Sequence, residues 1–291
     1  MTFTSSSWVR VSKRTPCPIC GHHDWCGITS DGAVARCMRV ESARPSPSGE
    51  GGWIHTLGDA VVPRPVVNHP PNPRPNIDWE RLLGKWRFNT QPGQLRRLAT
   101  GLGVTTHSLE RLGAAYAAQY KAWAFPMRNG RGYIIGIRLR NDAGQKWAVR
   151  GSHQGLFWPD MNTGADPLII TEGPTDAAAV LDLGFDVIGR PSCSGGTRLL
   201  QQAFERGTSR DVVILADRDE PKKRPDGTTW YPGQEGAEQL AQQLAGLTRS
   251  TRIIKPLKGK DARAWVQSGA TRRMVDMVIS NACFWRATNG R

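Results

Sequence analysis

The amino-acid sequence predicts an α/β protein in which a small cysteine-rich module precedes a basic α+β segment and a mostly parallel sheet flanked by helices. From Pro167 onward, short apolar runs alternate with helical segments, which is typical of a parallel sheet covered on both faces. Four of the six cysteines fall within residues 17–37, and residues 61–75 then contain six prolines. These observations predict separate structural units joined by an extended linker.

The charge of the chain favours an acidic polymer as its partner. The 291 residues include 39 Lys and Arg against 25 Asp and Glu, a formal net charge of +14. Residues 61–166 hold 15 basic and 6 acidic side chains, so most of the excess lies there. Nucleic acid is the first candidate, and a merely soluble basic protein is the alternative. Because the sequence shows neither an apolar run of roughly 20 residues nor a signal peptide, we expect a soluble cytoplasmic protein.

The cysteines of the first segment have the spacing of a metal site. Cys17, Cys20, Cys26 and Cys37 follow the pattern C-x2-C-x5-C-x10-C. In a reducing cytoplasm such clustered thiols are more often metal ligands than disulfides, and four thiolates suit tetrahedral zinc. The segment also has too few apolar residues to build a core without a metal. His22 or His23 stays open as an alternative to Cys26 for the third ligand.

Periodicity and turn residues predict the secondary structure of residues 77–291. In the first part, helices are expected at 79–88, 92–104 and 106–114, and strands at 122–128, 132–140 and 146–152. In the second part, strands are expected at 167–171, 186–190, 211–217 and 251–257, and helices at 174–184, 197–207, 236–247, 261–269 and 271–282. Thr105 or Thr106 is the expected N-cap of the third helix.

Acidic residues follow the ends of the predicted parallel strands. They are Glu172, Asp176, Asp217, Asp219 and Asp261. The carboxyl ends of parallel strands meet at one edge of the sheet, where ligands bind in such folds, so we expect these side chains to converge. Carboxylates that converge repel one another unless a cation lies between them, and oxygen ligands without histidine indicate Mg²⁺ or Mn²⁺. For any one of these acids alone, a solvated loop or a helix cap is the competing interpretation.

These motifs resemble those of a known family. "TEGPTDAAA", "ADRDE" and "KGKDARAW" are similar to the three acidic motifs of the Toprim domain, which primases and topoisomerases share. With the cysteine cluster and the basic segment, which is similar to the first half of a primase RNA-polymerase domain, the chain resembles bacterial and phage-type DNA primases. The resemblance implies a zinc ribbon at 1–60, a proline-rich linker at 61–76, a basic α+β polymerase-type subdomain at 77–166 and a Toprim domain with C-terminal helices at 167–291.

The resemblance implies a nucleotidyltransferase that makes short RNA primers on single-stranded DNA. Glu172, Asp217 and Asp219 are then the catalytic residues that hold Mg²⁺ or Mn²⁺, with Asp176 and Asp261 in support, while zinc is structural. Glu172 as a general base is left open. Arg138, Arg140 and Lys146, on the arms of a predicted hairpin, are expected to bind the nucleoside triphosphate. Lys121, Arg128 and Arg150 are weaker candidates for this role.

Partners and rival functions follow from the same residues. The chain contains no G-x-x-x-x-G-K-[ST] phosphate-binding loop, so the resemblance implies a primase that works with a separate helicase or replisome in a bacterial cell or a phage-infected host. One rival is a Toprim nuclease that cuts DNA with the same metals. Another is a catalytically silent DNA-binding replication module, which has no need of converging acids.

Overall fold

The structure, a computed structural model, describes residues 8–46, 52–57, 77–205, 210–223 and 228–286. The chain divides into two compact units, Met1–Arg74 and Pro75–Arg291. The linker predicted at 61–76 lies outside the described residues, and its extended form stays a prediction. Among the described residues, no helix is long and apolar enough to cross a membrane.

The first unit contains a four-stranded antiparallel sheet in the order β1-β2-β3-β4. The strands are β1 (Trp8–Arg10), β2 (Gly27–Thr29), β3 (Val34–Cys37) and β4 (Trp53–Thr56). Its small core contains Val11 and three of the cysteines, Cys17, Cys26 and Cys37. A core of this size holds a fold together only with an added cross-link or metal.

The second unit begins with three helices and an antiparallel sheet. The helices are α1 (Trp79–Asn89), α2 (Pro92–Leu102) and α3 (Thr106–Arg111), and the strands are β5 (Ala115–Ala117), β6 (Ala122–Arg128), β7 (Ile134–Arg140) and β8 (Lys146–Ala148). Thr105 is the N-cap of α3, because its side-chain oxygen accepts a hydrogen bond from the Ser108 N–H. The three predicted strands are present here, whereas β5 was not predicted.

The second unit continues with a four-stranded sheet in the order β10-β9-β11-β14, and every strand pair in it is parallel. Its strands are β9 (Leu168–Glu172), β10 (Asp186–Arg190), β11 (Asp211–Leu215) and β14 (Ser250–Ile254), with a short hairpin of β12 (Lys222–Lys223) and β13 (Thr229–Trp230) between the last two. The helices are α4 (Gly173–Asp182), α5 (Thr197–Phe204), α6 (Pro232–Leu244), α7 (Ala262–Gln267) and α8 (Arg272–Asn281). The predicted mostly parallel sheet flanked by helices is confirmed.

Each face of the parallel sheet is buried in its own core. On one face, Ile169 and Val213 pack with residues of α4, α7 and α8 and with Phe125 of β6. On the other face, Ile170 and Ile214 pack with residues of α5 and α6. The interiors of β9, β10 and β11 therefore read as apolar runs, and their polar side chains lie at or next to the strand ends.

Candidate active site

The candidate site lies where two neighbouring strands of the parallel sheet end. Glu172 is the last residue of β9, and Asp217 follows β11 by two residues. The chain leaves β9 toward β10 on one side and later returns to β11 on the other. This reversal of strand order opens a crevice between β9 and β11, which is the usual ligand position in such sheets. Gly173, with φ of 75°, turns the chain from β9 into α4.

The five predicted carboxylates are close enough to perturb one another. Burial first, and then the charges of Glu172, Asp176, Asp261 and Asp219, raise the pKa of Asp217 to about 8. Burial and then Asp261 raise the pKa of Asp176, which is 8% exposed, to about 7. Burial also raises the pKa of Glu172, against the opposing charge of Arg190. The acids therefore converge as predicted, in a site where their charges are not offset by side chains alone.

Backbone donors fix three of these acids. Asp176 Oδ1 accepts the Arg263 N–H at 2.9 Å, and Asp219 Oδ2 accepts the Gly233 N–H at 2.9 Å. Asp261 is the N-cap of α7 and accepts the Ala264 N–H at 2.7 Å. These bonds leave each carboxylate with further lone pairs for a cation.

The first turn of α6 passes very close to the acids of β11. A Cβ added at Gly233 would lie 2.8 Å from the Asp217 carbonyl oxygen and 3.2 Å from Asp219 Oδ2. A side chain at residue 233 would therefore push α6 away from the loop that carries both aspartates. The absence of a Cβ lets the N-terminus of α6 hold Asp219 with a backbone N–H.

The carboxylates fit a hard divalent cation at an open site. Their donor atoms are all oxygens, which Mg²⁺ and Mn²⁺ prefer. Apart from the cysteine cluster, no group of three His, Cys, Asp or Glu side chains in the described parts of the chain brings its ligand atoms within 4.8 Å of one another. The acids therefore do not form a closed cage of protein ligands, and Mg²⁺ characteristically keeps several waters in place of such a cage.

Two of the three predicted triphosphate-binding residues lie close enough to these acids to interact with them. Arg140 and Lys146 are directly opposed in the β7–β8 pairing, and Arg138 lies two residues from Arg140 on the same strand. Burial lowers the pKa of all three groups. The charge of Asp176 acts in the opposite direction on Arg140 and Lys146. A basic wall, formed by Arg140 and Lys146 with Arg138 beside them on β7, therefore lies next to the acidic edge.

The weaker basic candidates lie in other settings. Arg128 Nη2 is 3.4 Å from an Asp160 oxygen, and Arg128 Nη1 is 3.9 Å from a Glu80 oxygen. Its charge is therefore balanced locally. Lys121 is an exposed residue in a left-handed turn, with φ of 47°. Neither residue is among the main causes of the pKa shifts of Glu172, Asp176 and Asp217.

Two arginines of the site were not predicted. Arg190 ends β10 and is paired in register with Glu172. Arg263 lies in the first turn of α7, where its charge acts on both Asp176 and Lys146. Neither has a local sequence signature, because a single arginine after an apolar strand or in a helix is ordinarily a surface residue.

The cysteine cluster of the first unit fits zinc. The Sγ atoms of Cys17, Cys20, Cys26 and Cys37 all lie within 4.8 Å of one another. The Cys20–Cys26 and Cys26–Cys37 distances are 3.7 and 4.0 Å, close to the edge of about 3.8 Å of a tetrahedron with Zn–S bonds of about 2.3 Å. Cys26, rather than His22 or His23, completes the group.

Backbone donors surround these sulfur atoms as they would surround thiolates. The Met38 N–H points at Cys26 Sγ at 3.4 Å, and the N–H groups of Arg39 and Val40 point at Cys37 Sγ at 3.4 and 3.2 Å. Burial raises the pKa of Cys37 to about 11 in the absence of an ion. A bound cation is what would keep these buried sulfurs deprotonated, so the cluster has the four sulfur donors, and the N–H groups directed at them, that suit a zinc ion.

Comparison with known proteins agrees with this architecture. Residues 167–271 match the Toprim domain. A search of curated proteins finds no match. The fold is similar to the Aquifex aeolicus primase comprising zinc-binding and RNA polymerase domains, with a TM-score of 0.55 and 12% identity over 71% of this chain and 60% of that one.

Two further solved structures share the fold. A DnaG primase catalytic domain bound to ssDNA gives a TM-score of 0.54 and 16% identity over 70% of this chain and 77% of that one. A DNA primase domain from Pseudomonas aeruginosa gives a TM-score of 0.53 and 14% identity over 70% of this chain and 78% of that one. The chain therefore carries a Toprim domain within the fold of a primase catalytic core, as its motifs predict.

Proposed function

We propose that this protein is a DNA primase that synthesises short RNA primers on single-stranded DNA by metal-dependent nucleotidyl transfer. The observation that supports this best is the pairing of an acidic edge with a basic wall inside one compact unit. Glu172 and Asp217 end neighbouring strands, while Arg140 and Lys146 lie close enough to Asp176 for their charges to interact. Acids suited to Mg²⁺ beside buried cations suit a triphosphate substrate.

The residues have separable roles in the proposed reaction, in which a 3′ hydroxyl attacks an α-phosphate and pyrophosphate leaves. Mg²⁺ or Mn²⁺, when bound, supplies Lewis acidity toward the attacking hydroxyl and the phosphates. Glu172, Asp217 and Asp219 would hold it. Asp176 and Asp261 would support the site, since Asp176 fixes the start of α7 through the Arg263 N–H.

The basic wall would bind the triphosphate before the acids act. Arg138 and Arg140 present planar donor forks that match phosphate oxygens, and Lys146 adds a point charge opposite Arg140. Because burial already disfavours their charged forms, an anionic ligand would relieve part of the desolvation cost. The four-cysteine cluster would hold zinc as a structural ion of the first unit.

The partners that we propose follow from the same assignment. The DnaG catalytic domain noted above was solved bound to ssDNA. For this chain we propose a single-stranded DNA template on the basic segment of residues 77–166, with ribonucleoside triphosphates as substrates. A separate helicase or replisome protein is the further partner that the proposal calls for.

One assay separates the proposed function from its rivals. The full chain is incubated with single-stranded DNA, labelled ribonucleotides and Mg²⁺ or Mn²⁺, and both RNA and DNA products are resolved. Template-dependent short RNA supports a primase, shortened DNA indicates a nuclease, and neither product indicates a binding module. Glu172→Gln, prepared in parallel, must lose the activity, because a product that persists in it would come from a contaminant.

A further inference from the structure

Arg190 is a buried arginine at the candidate site that the mechanism above does not use. It is 3% exposed, and it stands beside Glu172 in the β10–β9 register. Both side chains lie on the face of the sheet that packs against α5 and α6, since Ile188 and Ile170, two positions earlier on each strand, belong to that core. Burying a guanidinium is costly unless hydrogen bonds and an opposite charge offset the lost hydration.

The guanidinium donates hydrogen bonds to backbone carbonyls of two different elements. Nε donates to Gly195 O at 3.1 Å and Nη2 to Cys193 O at 2.5 Å, both in the loop 191–196 that follows β10. Nη1 lies 3.4 Å from Gly236 O, in α6. Only the planar, five-donor fork of arginine can join two carbonyls of a loop to one of a helix in this way.

Each element that Arg190 joins also lies beside one of the acids. In the loop, the backbone N–H of Cys193 is close enough to the Glu172 carboxylate to lower its pKa. In α6, the Gly233 N–H donates to Asp219 Oδ2 at 2.9 Å. The loop and the helix are in close contact, because a Cβ at Gly236 would lie 2.4 Å from Cys193 O. Arg190 and its hydrogen bonds therefore link the loop beside Glu172 to the helix that holds Asp219.

We infer that Arg190 is a positioning residue that fixes the loop 191–196 against α6, so that Glu172 and Asp219 are held together as ligands for the catalytic cation. The inference rests on the proposed metal site and adds to it a residue outside the acidic motifs. Arg190 contacts neither the cation nor the substrate in this scheme. Its charge opposes that of Glu172, and its hydrogen bonds hold the loop and α6 in place, in the way that hydrogen bonds around metal ligands orient them.

The alternative is that Arg190 only stabilises the fold. A matched control is available at the opposite edge of the same sheet. Arg210 precedes β11, its side chain is 11% exposed, and its guanidinium lies 3.3 Å from Asp166 and 3.1 Å from Asp186. Arg210→Met removes a largely buried arginine next to the start of β11, whereas the acids lie at the other end of that strand. It therefore reports the effect of lost stability alone.

The test measures Mn²⁺ binding directly, by the loss of the free-ion signal in electron paramagnetic resonance, and not only activity. The full-length chain, loaded with zinc, is compared with Glu172→Gln, Arg190→Met, the double variant and Arg210→Met, and a melting temperature is recorded for each. We expect Arg190→Met to weaken Mn²⁺ binding by about 10-fold or more, with little further loss in the double variant. Arg210→Met should lower the melting temperature and leave Mn²⁺ binding within about twofold of the parent.

The possible results separate the two proposals. If Glu172→Gln itself binds Mn²⁺ as the parent does, the metal site is wrong and the inference falls with it. If Glu172→Gln weakens binding but Arg190→Met does not, or if the two losses simply add, the positioning role is refuted while the metal site stands. Should Arg190→Met fail to fold, Arg190→Lys carries the test. It keeps the charge but cannot join both elements, so parent-like Mn²⁺ binding by a folded Arg190→Lys would also refute the inference.

Discussion

At the residue scale, Asp217 shows how the candidate site lowers the stability of the folded protein. Burial, followed by the charges of its acidic neighbours, raises the pKa of its carboxyl to about 8. An amide at this position would keep the shape of the side chain while removing both the charge and its repulsion. A residue that is better for stability when neutral, yet stands at the carboxyl end of a strand, is typical of a functional site.

Asp217→Asn should therefore separate activity from stability. We expect nucleotide addition to fall by at least about 100-fold, because a ligand of the cation is lost. The melting temperature should stay the same or rise. Asp211→Asn is the control, since Asp211 begins the same strand at the opposite edge and pairs with Arg249. Primer synthesis at the parent rate in Asp217→Asn would contradict the metal assignment.

The raised pKa values also predict how stability depends on pH. Asp217 and Asp176 titrate near 8 and 7 in the folded protein, against about 4 in an unfolded chain. Between these values the folded state binds protons that the unfolded state has released. The contribution of these two carboxyl groups to the free energy of unfolding is complete below about pH 4 and is lost as the pH rises toward 8.

This dependence can be measured on the second unit without bound metal. We expect a chain that starts at Asn76 to melt at a higher temperature at pH 6 than at pH 8.5. Added Mg²⁺ should raise the melting temperature more at pH 8.5 than at pH 6. Asp217→Asn should flatten the profile. A melting temperature that rises with pH over this range, or a profile unchanged in Asp217→Asn, would contradict the stated cause.

At the scale of elements, the strands and helices of the parallel sheet were predictable because apolar runs there are bounded by Gly, Pro and acids. The site acids were predictable for the same reason, since strand ends can be read from such runs. Strand β5 was missed because Ala115–Ala117 is too short to show a period. Gly233, Arg190 and Arg263 were missed because their roles depend on neighbours that only the folded chain brings together.

The start of α6 supplies a test at this scale. Gly233→Ala places a methyl group 2.8 Å from the Asp217 carbonyl oxygen, so we expect a loss of about 1–3 kcal/mol in the free energy of unfolding and a marked loss of activity. Gly84→Ala in α1 is the control, because a Cβ there meets nothing within 4 Å. It should stabilise the chain by about 0.5–1 kcal/mol with no effect on activity. Denaturant titration measures the free energy of unfolding of both variants, and a primer-synthesis assay measures their activity.

At the scale of the whole molecule, the chain is two compact units, Met1–Arg74 and Pro75–Arg291, each with its own core. The first unit depends on its cysteine cluster, because the rest of its core is small. The second has two large apolar cores, one on each face of the parallel sheet. Loss of the metal should therefore affect the two units very differently.

Cys17→Ser should unfold the first unit and leave the second folded. Zinc sites in domains of this kind contribute about 10–16 kcal/mol of apparent folding free energy, more than a small core provides. Elemental analysis should find one zinc per parent chain, and amide exchange should show protection lost within residues 8–46 and 52–57 and kept in the second unit. A zinc-free parent protein with a protected first unit would contradict the assignment.

Removal of the first unit should separate affinity from sequence preference. Residues 1–60 hold 6 basic and 5 acidic side chains, whereas residues 61–166 hold 15 and 6. A chain that starts at Asn76 should therefore bind single-stranded DNA with a similar salt dependence and lose its preference among start sequences. Salt-titrated binding to several templates measures both. An equal loss of affinity on every template would show instead that the first unit supplies general affinity.

The cysteine thiols lie in one unit and the carboxylates in the other, so we expect the two units to take up different metal ions according to chemical softness. Cd²⁺ or Co²⁺ added in small amounts should enter the cysteine cluster, while Mg²⁺ and Mn²⁺ should be left to the oxygen ligands. Scarcity of one ion would then disable one unit without touching the other. A cobalt-loaded chain would carry a visible colour reporting only on the first unit, so the two halves could be followed independently in one sample.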